Sequence, residues 1–157
     1  MKRNLSLRLL ALSISLLLGF LPLQAAERPF EFSGSGTSNF ITDAAGNVTG
    51  ANVTASGTAN YLGLWTAAGT VHFTPDPNNP GRLLSSANMA FVAANGDRLQ
   101  VMLNGNLDPA AGADMGILQF VGGTGRFVAA SGFGQFMVEL NPATGAFKTT
   151  AVATINF

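Results

Sequence analysis

From residue 28 onward, apolar and polar positions alternate with a period of two. Val53, Ala55, Gly57, Ala59 and Tyr61 alternate with Asn52, Thr54, Ser56, Thr58 and Asn60, and Leu99, Val101 and Leu103 with Arg98, Gln100 and Asn104. Phe147, Ala151, Ile155 and Phe157 take the side opposite Lys148, Thr150, Thr154 and Asn156. Such a pattern predicts antiparallel strands with one face in a core and the other in water. No stretch sustains a helical stripe, and Ala44-Ala45 and Ala110-Ala111 are too short to propagate a helix.

Breaks punctuate the alternation at regular intervals. Asp43-Ala44-Ala45-Gly46-Asn47, the proline-rich Pro75–Gly81 segment, Asp108-Pro109 through Gly112, and Asn141–Gly145 all read as loops. Asn95-Gly96 predicts a two-residue hairpin in a type I′ turn, because both residues tolerate positive φ. The segments between these breaks predict eight strands, near 29–40, 49–61, 65–74, 84–94, 97–107, 115–121, 125–140 and 146–157. Apart from Pro29 at the very start of the first, neither the first nor the last carries a proline, bulge signal or dense charge to protect an open edge. Pairing them with each other removes the edge, so the fold expected is an all-β, eight-stranded antiparallel closed barrel. Glycines within the strands, at 34, 36, 57, 69, 105, 132 and 134, suit the tight bends of a small barrel.

The first 26 residues stand apart from this pattern. Lys2, Arg3 and Arg8 precede an uncharged apolar run from Leu9 to Leu23, and small residues at Ala25 and Ala26 lead into Glu27. This is the layout of a secretory signal peptide cleaved after Ala25 or Ala26. The run is shorter than the ~20 residues of a membrane-spanning helix, so no stable membrane span is expected. A single barrel domain over 27–157, exported to the periplasm or the exterior, is the organisation predicted.

Composition narrows the chemistry. The chain of 157 residues has no Cys and one His, and only 10% of it is charged. Without the leader, five basic residues face eight acids, so there is no basic excess to neutralise phosphates, and a nucleic-acid partner is not expected. A disulfide framework and a thiolate-held metal are excluded. His72, the single histidine, shares a face with Thr70 and Thr74 and reads as a surface residue; no Gly-x-Ser-x-Gly elbow accompanies it. Asp108 and Asp114, with Asn104 and Asn106 before them, match no calcium loop and read as solvated loop carboxylates. Neither a cofactor nor a metal is expected.

The segment Val121-Gly122-Gly123-Thr124-Gly125-Arg126-Phe127, followed by Ala129-Ala130-Ser131-Gly132, reads as a glycine turn from which Arg126 and Phe127 begin a strand. It resembles the Gly-Gly-Thr-Gly-Lys/Arg-Phe segment of the allene oxide cyclase-like and dirigent-like barrels. Ser56–Gly63, Ala93–Asp97 and the Thr-rich closing strand are similar to small secreted bacterial members, although Asn60-Tyr61-Leu62-Gly63 stands where Thr-His-Leu-Gly is usual. The resemblance implies an eight-stranded barrel with a largely apolar interior, and a homo-oligomer, trimeric in the plant members.

Tyr61, Trp65, Phe73, Leu99 and Val101 are the side chains expected to line an interior cavity for a small hydrophobic molecule; a filled interior is the competing expectation. Three functions follow. The first is a non-enzymatic exported module that binds an apolar ligand or serves a structural role. The second is a cyclase or dirigent-like protein that guides a hydrophobic intermediate, which a polar cavity group with a displaced pKa would favour. The third, suggested by the terminal Ala151-Ala153-Ile155-Phe157 face, is a small outer-membrane barrel, for which one Tyr and one Trp are too few to build two aromatic girdles.

Overall fold

The computed structural model describes residues 26–157, so the expected leader, apart from Ala26, lies outside the described residues. Eight strands follow one another: β1 (Arg28–Thr42), β2 (Val48–Ala59), β3 (Gly63–Pro75), β4 (Leu83–Ala93), β5 (Arg98–Asp108), β6 (Ala113–Gly123), β7 (Ser131–Leu140) and β8 (Ala146–Asn156). Each pairs antiparallel with its sequence neighbour, and β1 pairs with β8 from Arg28–Ile155 to Thr37–Ala146, which closes the barrel. Both strands without edge protection thus satisfy their backbone groups on each other. Among the described residues no helix is long and apolar enough to cross a membrane.

The two-residue alternation decides which way each side chain points. Phe30, Phe32, Trp65, Phe91, Leu99, Val101, Leu118, Phe120 and Ile155 face the bore and are buried. Ser33, Ser35, Asn52, Thr54, Ser56 and Thr66 face outward, where Thr37 with Thr54 (3.2 Å) and Thr70 with Asn52 (2.8 Å) bond across strands. Apolar-in and polar-out over β1–β3 reverses the arrangement of an outer-membrane barrel.

The bore is packed in one half only. At the end holding the start of β1 and the end of β8, Phe30 meets Phe120 edge-on with centroids 4.9 Å apart, and Phe127, Leu99, Leu118, Ile155 and Val101 are shut off from solvent around them. Beyond this plug Trp65 stacks on Phe91 (4.7 Å, 8° between planes), with Phe32 edge-on to both. Gly34 makes room for that indole, since a Cβ there would lie 2.6 Å from Trp65 Cζ2. Past Trp65 several inward positions are small, as at Ala51, Val53, Ala55, Ala67, Gly69 and Ala87, and the bore opens.

Three local expectations need correction. The strand expected over 125–140 begins only at Ser131, because Gly125–Phe127 forms a 3-10 helical turn. That turn swings Phe127 back over the barrel end, where it is buried and packs near Phe157 at 5.2 Å. Strand β2 stops at Ala59, and Tyr61 sits in the following turn with φ of 64°. The loop at Asn95-Gly96 is not type I′, since only Gly96 has positive φ. The Ala93 carbonyl accepts from Gly96 N–H and the Asp97 carbonyl from Ala93 N–H, which makes a three-residue loop with a left-handed glycine at its end. Asn95 Oδ1 accepts from Asp97 N–H and so favours that shape.

The division into a packed and an open half has a measurable consequence. Phe30→Ala, in the plug, should cost about 3–5 kcal/mol of unfolding free energy, the range for a buried Phe with no room to relax. Phe73→Ala, on the open half, should cost roughly 1–2 kcal/mol, because its surroundings are already incompletely packed. Urea midpoints of the two variants, at unchanged slope, measure both.

Candidate functional site

The open half of the bore is a cavity with one mouth. Its volume is about 100 Å³. Phe32, Trp65 and Phe91 form its blind end, and Phe40, Phe73, Leu140 and Phe147 are among the residues of its outer wall. From Trp65 to Phe73 the wall follows β3 for eight residues, on the order of 25 Å of strand. The lining is overwhelmingly apolar, as is usual for sites that hold small organic molecules.

One ionisable side chain stands in this wall. Asp114 is buried on β6, and its carboxyl lies over Gly105 of β5 next to the Ser85 hydroxyl of β4. The register explains the meeting: Gly105 pairs with Ser85 on one side and with Gly116 on the other. A Cβ at position 105 would collide with Asp114 Oδ1 and come within 2.7 Å of Ser85 Oγ and 2.9 Å of the Phe136 ring. The missing side chain is therefore what lets the carboxyl lie down in the wall. Removal from water raises the Asp114 pKa above the ordinary carboxylate value, and the Ser85 hydroxyl, which favours the charged form, only partly offsets this. Asp114 Oδ1 has no hydrogen-bond partner, and neither has the buried Trp65 Nε1.

Asp114 corrects the sequence reading, which placed it with Asp108 as a solvated loop carboxylate. Asp108 does lie at the surface, where it pairs with Arg82 at 3.1 Å. Asp114 instead belongs to β6 and is in phase with the inward Leu118 and Phe120. That phase was present in the sequence, but the proline and glycine of the preceding loop masked where the strand begins.

Of the five side chains expected to line a cavity, Trp65 and Phe73 lie on its wall. Leu99 and Val101 are wholly buried in the plug half, where the bore is solid. Tyr61 caps the closed end, its ring 5.4 Å from Phe157 and with Arg28 over it at 6.0 Å. His72 is exposed on the outside of β3. The filled and hollow expectations thus each describe one half of the barrel.

No family model and no curated protein matches this chain. Solved structures do. The pterocarpan synthase dirigent protein GePTS1 superposes with a TM-score of 0.58 at 16% identity, covering 90% of this chain and 95% of its own. The fold is the dirigent-like barrel. A second pterocarpan synthase dirigent protein, PsPTS1, superposes on this barrel with a TM-score of 0.55 at 15% identity over 85% of this chain and 97% of its own. A nonspecific heme-binding cyclase that catalyses a (4 + 2) cycloaddition during neoabyssomicin biosynthesis gives 0.56 at 11% identity over 92% of this chain and 76% of its own. At these identities the dirigent-like likeness concerns the path of the chain, and the chemistry of this cavity rests on its own residues.

The raised pKa of Asp114 has a definite sign in stability. The folded chain holds this proton more tightly than the unfolded one, so stability declines as pH rises from the unfolded carboxylate value of about 3.9 through the folded value, and stays lower above it. Asp43 and Asp76 act in the opposite sense. Hydrogen bonds, chiefly from the Asn47 and Asn79 side chains respectively, hold both below the usual range, and their contribution is lost as pH falls. Asp114→Asn cannot ionise and leaves Asp43 and Asp76 unchanged. It should match or exceed the native chain in urea midpoint near neutral pH, and the difference should shrink toward pH ~4 and below.

Proposed function

We propose that this barrel takes a small, largely apolar organic molecule into its open half and that Asp114 acts on an oxygen of that molecule as an acid, guiding a ring closure or coupling. The single observation that carries this reading is a buried, incompletely bonded carboxyl with a raised pKa in the wall of an otherwise apolar cavity. A carboxyl whose protonated form is favoured by burial can donate a hydrogen bond or a proton where negative charge develops. The apolar wall supplies the other requirement, which is to hold a flexible intermediate folded with its reacting atoms close and water excluded. The cyclase and dirigent proteins that share the fold are in keeping with such a role.

The same reading places the chain outside the cytoplasm, with the segment up to Ala25 or Ala26 as a cleaved leader; the charged start, apolar run and small residues before Glu27 support it. Intact mass of the protein from its own host should correspond to a chain beginning at Ala26 or Glu27.

Trp65, the one tryptophan of the chain, sits on the cavity wall and reports on it. Titration with the neutral probe N-phenyl-1-naphthylamine should give saturable energy transfer from Trp65, and Ala87→Phe, which fills the bore, should weaken it at least ~10-fold. Native mass spectrometry of the protein from its host should reveal a retained neutral molecule. Asp114→Asn should change its binding less than ~3-fold while slowing its conversion by about 100-fold or more, the usual share of a positioned acid. Equal conversion by both chains, or transfer untouched by Ala87→Phe, would contradict the proposal.

A further inference from the structure

The charges of the barrel are sorted between its two ends. The loops after β1, β3, β5 and β7 surround the mouth, and those after β2, β4 and β6 cover the closed end. Arg28, Arg98 and Arg126 all stand at the closed end. In the mouth loops Asp43, Asp76 and Asp108 are set against Arg82 alone, and the fourth loop, after β7, is uncharged. Arg82 is already engaged: its guanidinium lies 3.1 Å from the Asp108 carboxylate and donates to Asn106 Oδ1 at 3.3 Å. Asp43 accepts from the Asn47 side chain at 3.0 Å and from the backbone N–H groups of Ala45 and Asn47 at 2.9 Å. Asp76 accepts from the Asn79 and Asn106 side chains at 2.8 and 2.9 Å. These donors hold both carboxylates in the charged form. Below the rim, Glu139 and Lys148 are register partners on the outer face and offset each other.

The bore continues what the rim begins. Among the described residues, no Lys, Arg or His lines the cavity. Its one ionisable side chain is Asp114, 9% exposed and with Oδ1 unpartnered. An anion moving inward would first meet carboxylates whose field the low-dielectric walls concentrate. It would then lose its hydration to an apolar wall that offers no counter-charge. Further in, it would stand beside a carboxyl that can only add a like charge. A neutral molecule meets none of these costs. We infer that the mouth loops and the bore together form a filter against anions, so that the molecule handled in the cavity carries no carboxylate, sulfate or phosphate group. Asp108 serves the filter twice, through its own charge and by occupying Arg82, the one guanidinium in the mouth loops that could otherwise receive an anion. The inference rests on the function proposed above for the cavity and narrows its substrate class to neutral alcohols, phenols, ethers and ketones. A reaction that supplies this substrate must leave its oxygens in such uncharged groups.

The test compares two dyes on the purified protein. N-phenyl-1-naphthylamine and 8-anilino-1-naphthalenesulfonate share one ring framework and differ by a sulfonate that stays ionised throughout the working pH range. Energy transfer from Trp65 reads both, and the Ala87→Phe chain subtracts dye held outside the bore. At about 10 mM salt the native chain should bind the neutral dye at least ~10-fold more tightly than the sulfonate. Raising the salt to about 0.5 M should narrow that ratio ~3-fold or more, because the rim charges are then screened. Asp108→Asn removes one charge and frees Arg82, so it should strengthen sulfonate binding ~3-fold or more at low salt. Adding Arg82→Gln to it should return the sulfonate to its native affinity. Neither residue lines the cavity, so the neutral dye should shift less than ~2-fold in both variants. Equal affinity for the two dyes overturns the inference. So does a ratio unmoved by salt and by Asp108→Asn, which would leave the rim without a part in the rejection. A failed filter leaves entry of the neutral dye and the Asp114→Asn effect on conversion intact, whereas exclusion of the neutral dye contradicts the cavity reading and the filter alike.

Discussion

Closure of β1 onto β8 fixes the girth of the barrel, and the other properties of the molecule follow from that fixed girth. Eight strands leave an interior just wide enough for side chains to meet across it. Whether a given level of the bore is solid or hollow is then decided only by the size of the residues that point inward. Phe30, Phe120, Phe127 and Leu99 close one half completely. Ala51, Ala55, Ala67, Gly69 and Ala87 cannot reach across the other. The packed half supplies a continuous hydrophobic core, which lets the open half remain under-packed without a disulfide to brace it.

Within the open half, chemistry follows from one steric gap. Gly105 lacks the atom that would occupy the place of the Asp114 carboxyl, and its two ladder neighbours, Ser85 and Gly116, are also small. A carboxyl in that gap is shielded from water, meets the Ser85 hydroxyl, and is left with Oδ1 unbonded. Desolvation therefore sets its protonation. The Trp65–Phe91 stack forms the blind end and separates this polar spot from the plug. Shape and acidity are thus two results of the same alternation of large and small inward residues.

The fold was legible in the sequence because strand alternation, turn residues and the unprotected terminal strands all carry a direct physical meaning. Closure through the first and last strands followed from the cost of bare edges and needed no knowledge of side-chain packing. The site was less legible. Trp65 and Phe73 were recognised as wall residues by their aromatic bulk and phase, but Leu99 and Val101 share that phase and lie in the plug. Sequence alternation gives the side of the sheet and not the height along the bore. Asp114 was missed because residue type outweighed phase: a carboxylate near a Pro-Gly loop reads as solvated, and only its register with Leu118 and Phe120 indicates otherwise. Arg126 and Phe127 were mistaken for a strand start, since nothing local reveals that Phe127 folds back to cap the bore.

The account depends on an uncommon state of one carboxyl, which can be observed directly. A carbon-13 NMR titration of the Asp114 side chain, assigned by loss of its signal in Asp114→Asn, follows that group alone. The account predicts a midpoint clearly above the ordinary Asp value of about 3.9, moving upward again when N-phenyl-1-naphthylamine fills the cavity and displaces the remaining water. A midpoint at or below the ordinary value, unmoved by the probe, would mean that Asp114 is hydrated and charged, and the acid role assigned to the cavity would be wrong.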